Sequence, residues 1–390
     1  MTPQFEYSIA NQDDVRQFGK IAEQCFISPP GNIETYINRI GVENLRLIHR
    51  SEQVVGGLAM LSMGQWFGGQ CVPMTGIAAV GIAPEYRGSG AAIALMQHTV
   101  KELHTKGVPI SVLYPATQRL YRKAGYEQGG ALCGWEIPTE SIQVREQPLS
   151  VLPVPSDCQV FHDLYQQQAR LINGHLDRNP AIWQQTTQPD EKEIYYAYLL
   201  GSTDQPEGYI IFSQQPAEDG SLLLVKDRVV LTAAAAKTFW CFLANHRSSI
   251  KKVRWRGAAS DSLMLLLPEQ TAKPRFADRW LLRVIDVGKA LSKRGYPPEI
   301  EAELHLEVRD DLIAENNGKF MLSVANGRGE VARGGKGELK LDVRGLAPLY
   351  TGLFTPHQLQ LAGQLDATET AISTATEIFA GLSPWMPDFF

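Results

Sequence analysis

The amino-acid sequence predicts a protein of mixed α/β and α+β class with three successive folded segments. The first observation is length, because 390 residues exceed the usual domain size of about 100–200 residues. The second is composition, because 44% hydrophobic and 20% charged residues are typical of globular chains and exclude disordered and collagen-like classes. The third is a proline-containing linker over residues 138–155, which separates two stretches of alternating helix-like and strand-like patterns.

The first predicted segment, residues 1–140, alternates helices with apolar strands. Asn11 suits a helix N-cap, and apolar residues then recur at helical spacing. The strands are apolar runs bounded by polar or turn residues, and Gly125 suits a helix C-cap. The predicted elements are a helix from residue 11, strands at 45–48, 54–63 and 74–83, a helix at 91–103, a strand at 109–114 and a helix at 117–124.

The second predicted segment, residues 141–280, repeats this order without a recognisable ligand loop. Its elements are a helix at 160–173, strands at 195–200, 209–212 and 222–230, a helix at 233–245 and a strand at 252–256.

The third predicted segment, residues 281–390, is α+β and ends on an apolar tail, Trp385 to Phe390. That tail either packs on a core or is a chain end buried for a functional reason. The elements are a helix at 284–294, strands at 300–308, 319–324 and 337–343, and helices at 346–351, 355–362 and 366–379.

Charge and cysteine content narrow the expected partners and compartment. The 37 basic and 42 acidic residues give a net charge of −5, and no basic block suits a nucleic-acid backbone. The five cysteines are odd in number and never spaced as C-x-x-C, which predicts reduced thiols, a cytoplasmic chain and no metal site. Residues 53–84 carry no charge, but seven glycines and two prolines interrupt them, so buried strands are predicted rather than a membrane span.

The strongest chemical signal lies where an apolar strand runs into a glycine-containing loop and a helix follows at once. Unpaired N–H groups and the helix dipole suit phosphate oxygens there, and glycine lets the backbone approach a pyrophosphate. Ile93 stands where a dinucleotide-binding loop has its third glycine, and no Gly-Lys-Ser/Thr follows. A plain strand-to-helix turn is the alternative. The candidate binding residues are Val80, Gly81, Ile82, Arg87, Gly88, Ser89, Gly90, Ala91, Ala92 and Ile93.

The spacing of Arg87, Gly90 and Ala92 resembles the pyrophosphate signature of the GCN5-related N-acetyltransferases, whose fold is abbreviated GNAT. The run from Tyr121 to Tyr126 also resembles that family. The resemblance implies acetyl-CoA as cosubstrate, with Tyr126 as the general acid that protonates the departing thiolate and Tyr121 lining the pantetheine path. The alternative is that the Tyr126 ring only packs the core.

The order of the whole chain resembles the enhanced intracellular survival (Eis) family. The resemblance implies an acetyl-CoA-binding GNAT domain (1–140), a degenerate GNAT-like domain (141–280) and a sterol-carrier-like domain (281–390). It further implies a homohexameric N-acetyltransferase that gives antibiotic resistance by modifying aminoglycosides at more than one amine. In this family the C-terminal carboxylate, here that of Phe390, is taken as the general base.

Two departures from the family pattern concern phosphate and substrate binding. The loop is poorer in arginine than in some relatives, and Phe389 stands where an acid could precede the terminal residue. Asp388 is then the nearest carboxylate for a substrate ammonium. Phe26 and Tyr36 fall in the helical region that forms the substrate wall in acetyltransferases, with plain packing as the alternative.

A rival function is a lipid- or sterol-binding carrier or interaction protein with a vestigial acetyltransferase domain. It predicts a deep apolar cavity in residues 281–390 and no use for the glycine-containing loop.

Overall fold

The protein, seen in a computed structural model, is described over residues 5–29, 31–189, 193–217 and 220–390. These residues fold into two compact units. The first unit holds the chain up to Gly130, residues 279–382 and Phe390, and the second holds residues 131–278 and 383–389. The predicted α/β and α+β class is confirmed.

The helices and strands follow one another along three stretches of chain. The first stretch contains β1 (Glu6–Ile9), α1 (Gln12–Phe26), α2 (Asn32–Ile40), β2 (Leu45–Arg50), β3 (Gln53–Phe67), β4 (Gln70–Ile82), α3 (Ala91–Thr105), β5 (Ile110–Leu113), α4 (Gln118–Lys123) and β6 (Glu127–Pro138). The second contains β7 (Val151–Val154), α5 (Val160–Ala169), β8 (Leu176–Asp177), α6 (Pro180–Thr187), β9 (Tyr196–Gly201), β10 (Pro206–Ala217), β11 (Gly220–Val230), α7 (Ala233–Ala244), β12 (Lys252–Gly257) and β13 (Lys273–Val284). The third contains α8 (Val287–Lys293), β14 (Ala302–Arg309), β15 (Gly318–Ala325), β16 (Arg328–Arg333), β17 (Leu339–Asp342), α9 (Val343–Thr351), α10 (Pro356–Leu361), β18 (Leu365–Ala367) and α11 (Glu369–Ile378).

The first unit contains a sheet that begins with β1, β2, β3, β4 and β5 in sequential order. The pairs up to β4 are antiparallel, and β4 with β5 is parallel because α3 connects them. One face of α3 buries its apolar stripe, including Leu95, Met96 and Val100, against this sheet. Residues of the third stretch form a second sheet in the order β16, β15, β14, β17, β18.

One predicted helix was placed with the wrong start. The sequence predicted a helix over 284–294, but Val284 ends strand β13 and the helix begins at Val287. Residues 281–284 pair antiparallel with 113–110 of β5. A short apolar run does not reveal by its periodicity whether it is a buried strand or a helix, and here sheet pairing decides.

The second unit repeats the parallel connection seen between β4 and β5. Its strands run in the order β12, β11, β10, β9, β7, with β11 parallel to β12 and α7 between them in the chain. A core cluster that includes Phe212, Phe239, Trp240 and Trp255 fills the space under α7.

Candidate functional site

Two parallel strands of the first unit part at their carboxyl ends. β4 pairs with β5 only from Met74–Ile77 against Ile110–Leu113. Beyond that point β4 continues to Ile82, whereas β5 has ended. Ligands of open α/β sheets bind outside the carboxyl ends of such strands, so this crevice is a candidate ligand-binding site.

A β-bulge lies in β4 where the two strands part. Ala79 and Val80 together stand opposite the single residue Leu58 of β3, because the register shifts there. Ala79 has a φ of 52°, a left-handed conformation that residues with a side chain seldom adopt. A bulge removes a residue from the hydrogen-bond ladder, so backbone groups near Val80 can turn toward a ligand. The sequence predicted binding by Val80, Gly81 and Ile82 but not the bulge.

The loop after β4 leaves the N-terminus of α3 open. Gly88 and Gly90 have φ values of 79° and 94°, and a Cβ added at either would meet no atom within 4 Å. Ala94 N donates the first helical hydrogen bond to Gly90 O, and no side chain of the described residues caps this end. The N–H groups of residues 91–93 therefore precede the helical ladder and suit an anion. This arrangement fits the diphosphate of a coenzyme A thioester.

The matching helix of the second unit is closed at the same point. Only residues 231 and 232 separate β11 from α7. The Thr232 hydroxyl accepts a hydrogen bond from Ala235 N at 3.0 Å, which satisfies one of the N-terminal donors. The anion-binding geometry of α3 is thus not repeated at α7.

Cys25 is a neighbour of this loop that the sequence reasoning missed. Its Sγ donates to Ile82 O at 3.4 Å and lies 3.5 Å from Arg87 Nη2. A Cβ added at Gly81 would lie 3.5 Å from the same sulfur. A single cysteine in a helix belongs to no recognisable sequence motif. Cys25 lies beside the loop only because α1 packs on β4.

Tyr126 is fully buried and lies beside β5. Its hydroxyl is 2.8 Å from Ser111 Oγ, and Ser111 Oγ donates to Thr75 O at 2.8 Å. Burial raises the pKa of the Tyr126 phenol above its usual value, and the Ser111 hydrogen bond opposes that rise only in part. The phenol is therefore protonated at neutral pH and able to donate. Its predicted role as general acid stays a prediction.

A buried arginine holds the turn that carries Tyr126. Arg283 Nε donates to Ala124 O at 3.1 Å, and its Nη2 donates to both carboxylate oxygens of Asp310 at 2.6 and 2.8 Å. Gly125 has a φ of 86°, and a Cβ there would lie 2.6 Å from Arg283 Nε. Glycine is therefore required by both the backbone and the close approach of the guanidinium.

Tyr121 packs against Tyr126, with ring centroids 6.3 Å apart in an edge-to-face arrangement. Burial raises the pKa of its phenol to about 12. The predicted contact of Tyr121 with pantetheine stays a prediction.

The side chain of Phe390 lies on β4 of the first unit. A Cβ added at Gly76 would lie 2.5 Å from Phe390 Cε2 and 2.8 Å from Met63 Cε. The Phe390 ring also meets the edge of Tyr114, with centroids 6.3 Å apart. Gly76 lies within the paired part of β4, one residue before its last pair, and Tyr114 directly follows the paired part of β5, so the ring sits close to where these strands separate.

The two predicted substrate-wall residues lie on neighbouring helices. Phe26 ends α1 with 46% of its surface exposed, as a ligand-contacting ring would be. Tyr36 lies in α2 with its ring 5.6 Å from the Arg39 guanidinium, and burial raises the pKa of its phenol to about 12. The Tyr36 hydroxyl is buried and has no hydrogen-bond partner among the described residues. Neither substrate role is tested by this geometry.

Asp388 lies in the second unit, buried against Arg178. Arg178 Nε donates to Asp388 Oδ1 at 2.9 Å, and Tyr165 OH is 3.3 Å from Asp388 Oδ2. Burial raises the pKa of the Asp388 carboxyl, and the charge of Arg178 opposes that rise. This carboxylate already has a cation inside the protein, so the geometry does not favour its predicted contact with a substrate ammonium.

Two further findings concern metals and membranes. Among the described residues, no group of three or more His, Cys, Asp and Glu side chains is arranged to hold a metal ion. None of the helices in these ranges is long and apolar enough to cross a bilayer.

Comparison with known families gives three matches along the chain. Acetyltransferase (GNAT) domain models match residues 6–129 and 174–284. A sterol carrier protein domain model matches residues 287–387. The match over 6–129 contains the crevice, the bulge and the open helix end.

Similar proteins support the same arrangement. The crystal structure of a GCN5-related N-acetyltransferase from Anabaena variabilis is 60% identical, covers 99% of this chain and 100% of its own, and has a TM-score of 0.98. An uncharacterized N-acetyltransferase of Streptomyces griseus is 27% identical over 353 residues, 83% of each chain. N-acetyltransferase Eis of Mycobacterium tuberculosis is 24% identical over 341 residues, 82% of this chain and 81% of its own.

Proposed function

Since this chain belongs to the GCN5-related N-acetyltransferases, in the Eis-like form with a C-terminal sterol-carrier-like domain, we propose that it acetylates aminoglycosides at more than one amine. The proposed acetyl donor is acetyl-CoA, bound by the first GNAT domain. One observation carries the choice of site. The α3 N-terminus is open beside parted strands, whereas the matching α7 N-terminus is closed by Thr232.

Acetyl-CoA supplies an acetyl group activated as a thioester. We assign its diphosphate to the N–H groups of residues 91–93 and to Arg87, which lies in the preceding loop. The backbone N–H of Val80 at the bulge, or that of Ile82 two residues beyond it, would donate to the carbonyl oxygen as charge develops on it. In the overall exchange the amine nitrogen gains the acetyl carbon and the carbon–sulfur bond breaks.

Two groups of the chain would handle the protons. Tyr126 would donate its phenolic proton to the departing sulfur, and the phenolate would regain a proton from the acylated nitrogen as the carbon–sulfur bond breaks. In a protein whose last residue is Phe390, its α-carboxylate would accept the proton that the substrate ammonium must lose. An α-carboxyl has a reference pKa of about 3.5, far below that of an amine. Its contribution is therefore mainly electrostatic: it orients and stabilises the ammonium and relays the proton through water.

The acceptor would lie against the wall formed by α1 and α2, with Phe26 and Tyr36 contacting it. The exposed ring of Phe26 supports this assignment. A homohexamer is also proposed, by similarity to the Eis family, and light scattering on the purified protein tests it. Calorimetry with acetyl-CoA, followed by a thiol-release screen of amines, tests the activity and its acceptor.

Replacing Gly90 with valine is expected to raise the KM for acetyl-CoA about 10- to 100-fold. Its φ of 94° is unfavourable for valine, and the branched side chain would enter the open space where the diphosphate is assigned. A hydrogen bond to a charged oxygen contributes about 1.5–3 kcal/mol, which sets this range. Gly334→Val is the matched control, because Gly334 has a φ of 111° and equally open surroundings away from the site. A folded Gly90→Val protein with the wild-type KM would remove the diphosphate assignment.

Replacing Gly76 with alanine is expected to lower kcat about tenfold or more while the KM for acetyl-CoA changes little. The new Cβ would occupy the place of the Phe390 ring, 2.5 Å from its Cε2. Displacing the ring would displace the attached carboxylate, and small misplacements of reacting groups cost large factors in rate. In a Phe390→Ala background the same change should have little further effect, because the ring is gone and the remaining close atom, Met63 Cε, is the end of a flexible side chain. If the effects of the two changes on kcat were fully additive in free energy, the placement of the Phe390 ring on Gly76 would be contradicted.

The rival function, a lipid or sterol carrier with a vestigial enzyme domain, gives a different result in the same experiments. Such a protein would show no heat of binding with acetyl-CoA and no amine-dependent thiol release. The open α3 N-terminus does not favour it, because a carrier has no use for that geometry.

A further inference from the structure

A buried polar cluster in the second unit holds the last residues of the chain. We propose that Arg178 and Asp388 are positioning residues for the terminal carboxylate in acetyl transfer. This inference rests on the proposed function, because it assumes that the carboxylate of Phe390 takes part in the reaction. It replaces the predicted contact of Asp388 with substrate.

The cluster centres on the Arg178 guanidinium, which joins two carboxylates. Its Nε donates to Asp388 Oδ1 at 2.9 Å, and its Nη1 donates to Asp227 Oδ2 at 2.6 Å. Tyr209 OH donates to Asp227 Oδ2 at 2.8 Å. The side chains of Arg178, Asp227 and Asp388 are 1%, 3% and 4% exposed, so water competes little for these bonds.

Aromatic rings fix the orientation of the guanidinium. The Arg178 Cζ lies 3.8 Å from the ring centroid of Tyr165 and 4.8 Å from that of Trp183. A planar guanidinium stacked on aromatic faces has a restricted orientation, and its donors then have fixed directions. The position of Asp388 is set by those directions.

The helix after Arg178 holds the next residue of the tail as well. Gln185 of α6 donates from Nε2 to Phe389 O at 3.0 Å. Asn179 caps α6 through a hydrogen bond from Ile182 N, so Arg178 and Gln185 are carried on one ordered segment. That segment therefore contacts two successive residues immediately before Phe390.

Backbone contacts hold the tail farther upstream. Trp385 N donates to Asn173 O at 3.1 Å, and Ala131 N donates to Pro384 O at 3.2 Å. The Trp385 ring meets the edge of His175, with centroids 4.5 Å apart. The segment before Phe390 is thus held at residues 384, 385, 388 and 389.

Stability alone does not account for this arrangement. A buried ion pair gains little over apolar packing, because removing its charges from water costs about as much as the pairing returns. What such a pair gives is direction. Two residues of extended chain span at most about 7 Å, so fixing Asp388 and Phe389 confines the terminal carboxylate to a small region. The rate of a reaction depends on the precise placement of its catalytic groups, so an ion pair that fixes the position of the carboxylate can affect the rate.

The test compares Asp388→Ala with Asp227→Asn in the full-length protein. Both changes remove one carboxylate from the same arginine, but only Asp388 belongs to the tail. Asp388→Ala is expected to lower kcat about 10- to 100-fold with the KM for acetyl-CoA within about twofold, because a shift near 1 Å costs about 100-fold. Asp227→Asn is expected to keep kcat within about threefold, and Asp388→Asn, which retains the shape and an acceptor oxygen, should regain part of the rate.

A second variant covers the case in which the cluster variants fail to fold. The amide of Gln185 reaches the tail from an exposed position, so Gln185→Ala should leave the melting temperature unchanged and lower kcat a few-fold. Folded Asp388→Ala or Gln185→Ala proteins with wild-type kcat would overturn the inference. The inference would also be overturned if Asp388→Ala and Asp227→Asn lost kcat equally and in proportion to their loss of melting temperature. That result would show that the cluster has only a structural role.

The proposed function fails in a distinguishable way. If removal of Phe390 itself leaves the rate unchanged, the terminal carboxylate has no part in the reaction. If that removal abolishes activity while Asp388→Ala and Gln185→Ala are fully active, the carboxylate role stands and only the positioning inference is wrong.

Discussion

Replacing Tyr126 with phenylalanine is expected to lower kcat by about 10²–10⁴-fold, the usual contribution of one general acid. The KM for acetyl-CoA should stay nearly unchanged, because the change removes only a hydroxyl. Ser111 keeps its hydrogen bond to Thr75 O, so no buried donor is orphaned and the fold should tolerate the change. Steady-state thiol release and a thermal melt measure both quantities.

Tyr121→Phe is the matched control for this experiment. Tyr121 is also buried and lies against the Tyr126 ring, but it has no proposed proton to give. Its variant should retain most of the wild-type kcat. A Tyr126→Phe protein that turns over at the wild-type rate would show that Tyr126 packs the core and that the thiolate leaves unaided.

Removing Phe390 is expected to lower kcat by about 100-fold or more. Deletion withdraws the ring from its place on Gly76 and moves the carboxylate back by one residue, about 3.3–3.6 Å along an extended chain. That distance exceeds the tolerance of a positioned catalytic group. A C-terminal affinity tag should have a similar effect, because it converts the carboxylate into a neutral amide.

The same tag at the N-terminus is the control for bulk and purification. Activity should then remain near that of the untagged protein. A C-terminally tagged protein that is folded, has the native oligomeric state and acetylates amines at full rate would show that the tail is ordinary packing.

The sequence predicted the open helix end because its signal is local. Arginine, glycine and alanine at 87, 90 and 92 stand within one loop and helix start, and the conformations of Gly88 and Gly90 agree with the reason for expecting glycine. The same holds for Asn11, whose side chain accepts hydrogen bonds from Asp13 N and Asp14 N as a cap should. Features set by neighbouring residues can be recovered from sequence.

Features made by distant residues could not be recovered. Asp388 and Arg178 are separated by 210 positions, and Ser111 is a single hydroxyl within an apolar strand. No spacing rule links such pairs, since the fold alone brings them together. The strand at 281–284 was missed for a related reason, because its pairing with β5 depends on residues far back in the chain.

The most direct test is acetyl transfer to an aminoglycoside by the protein with an unmodified C-terminus. Thiol release from acetyl-CoA and the mass of the aminoglycoside product are measured together. The expected result is amine-dependent thiol release with a product that carries one or more added acetyl groups, and loss of both in Tyr126→Phe. If the folded protein neither bound nor consumed acetyl-CoA, whichever amine was present, the assignment of this site would be contradicted.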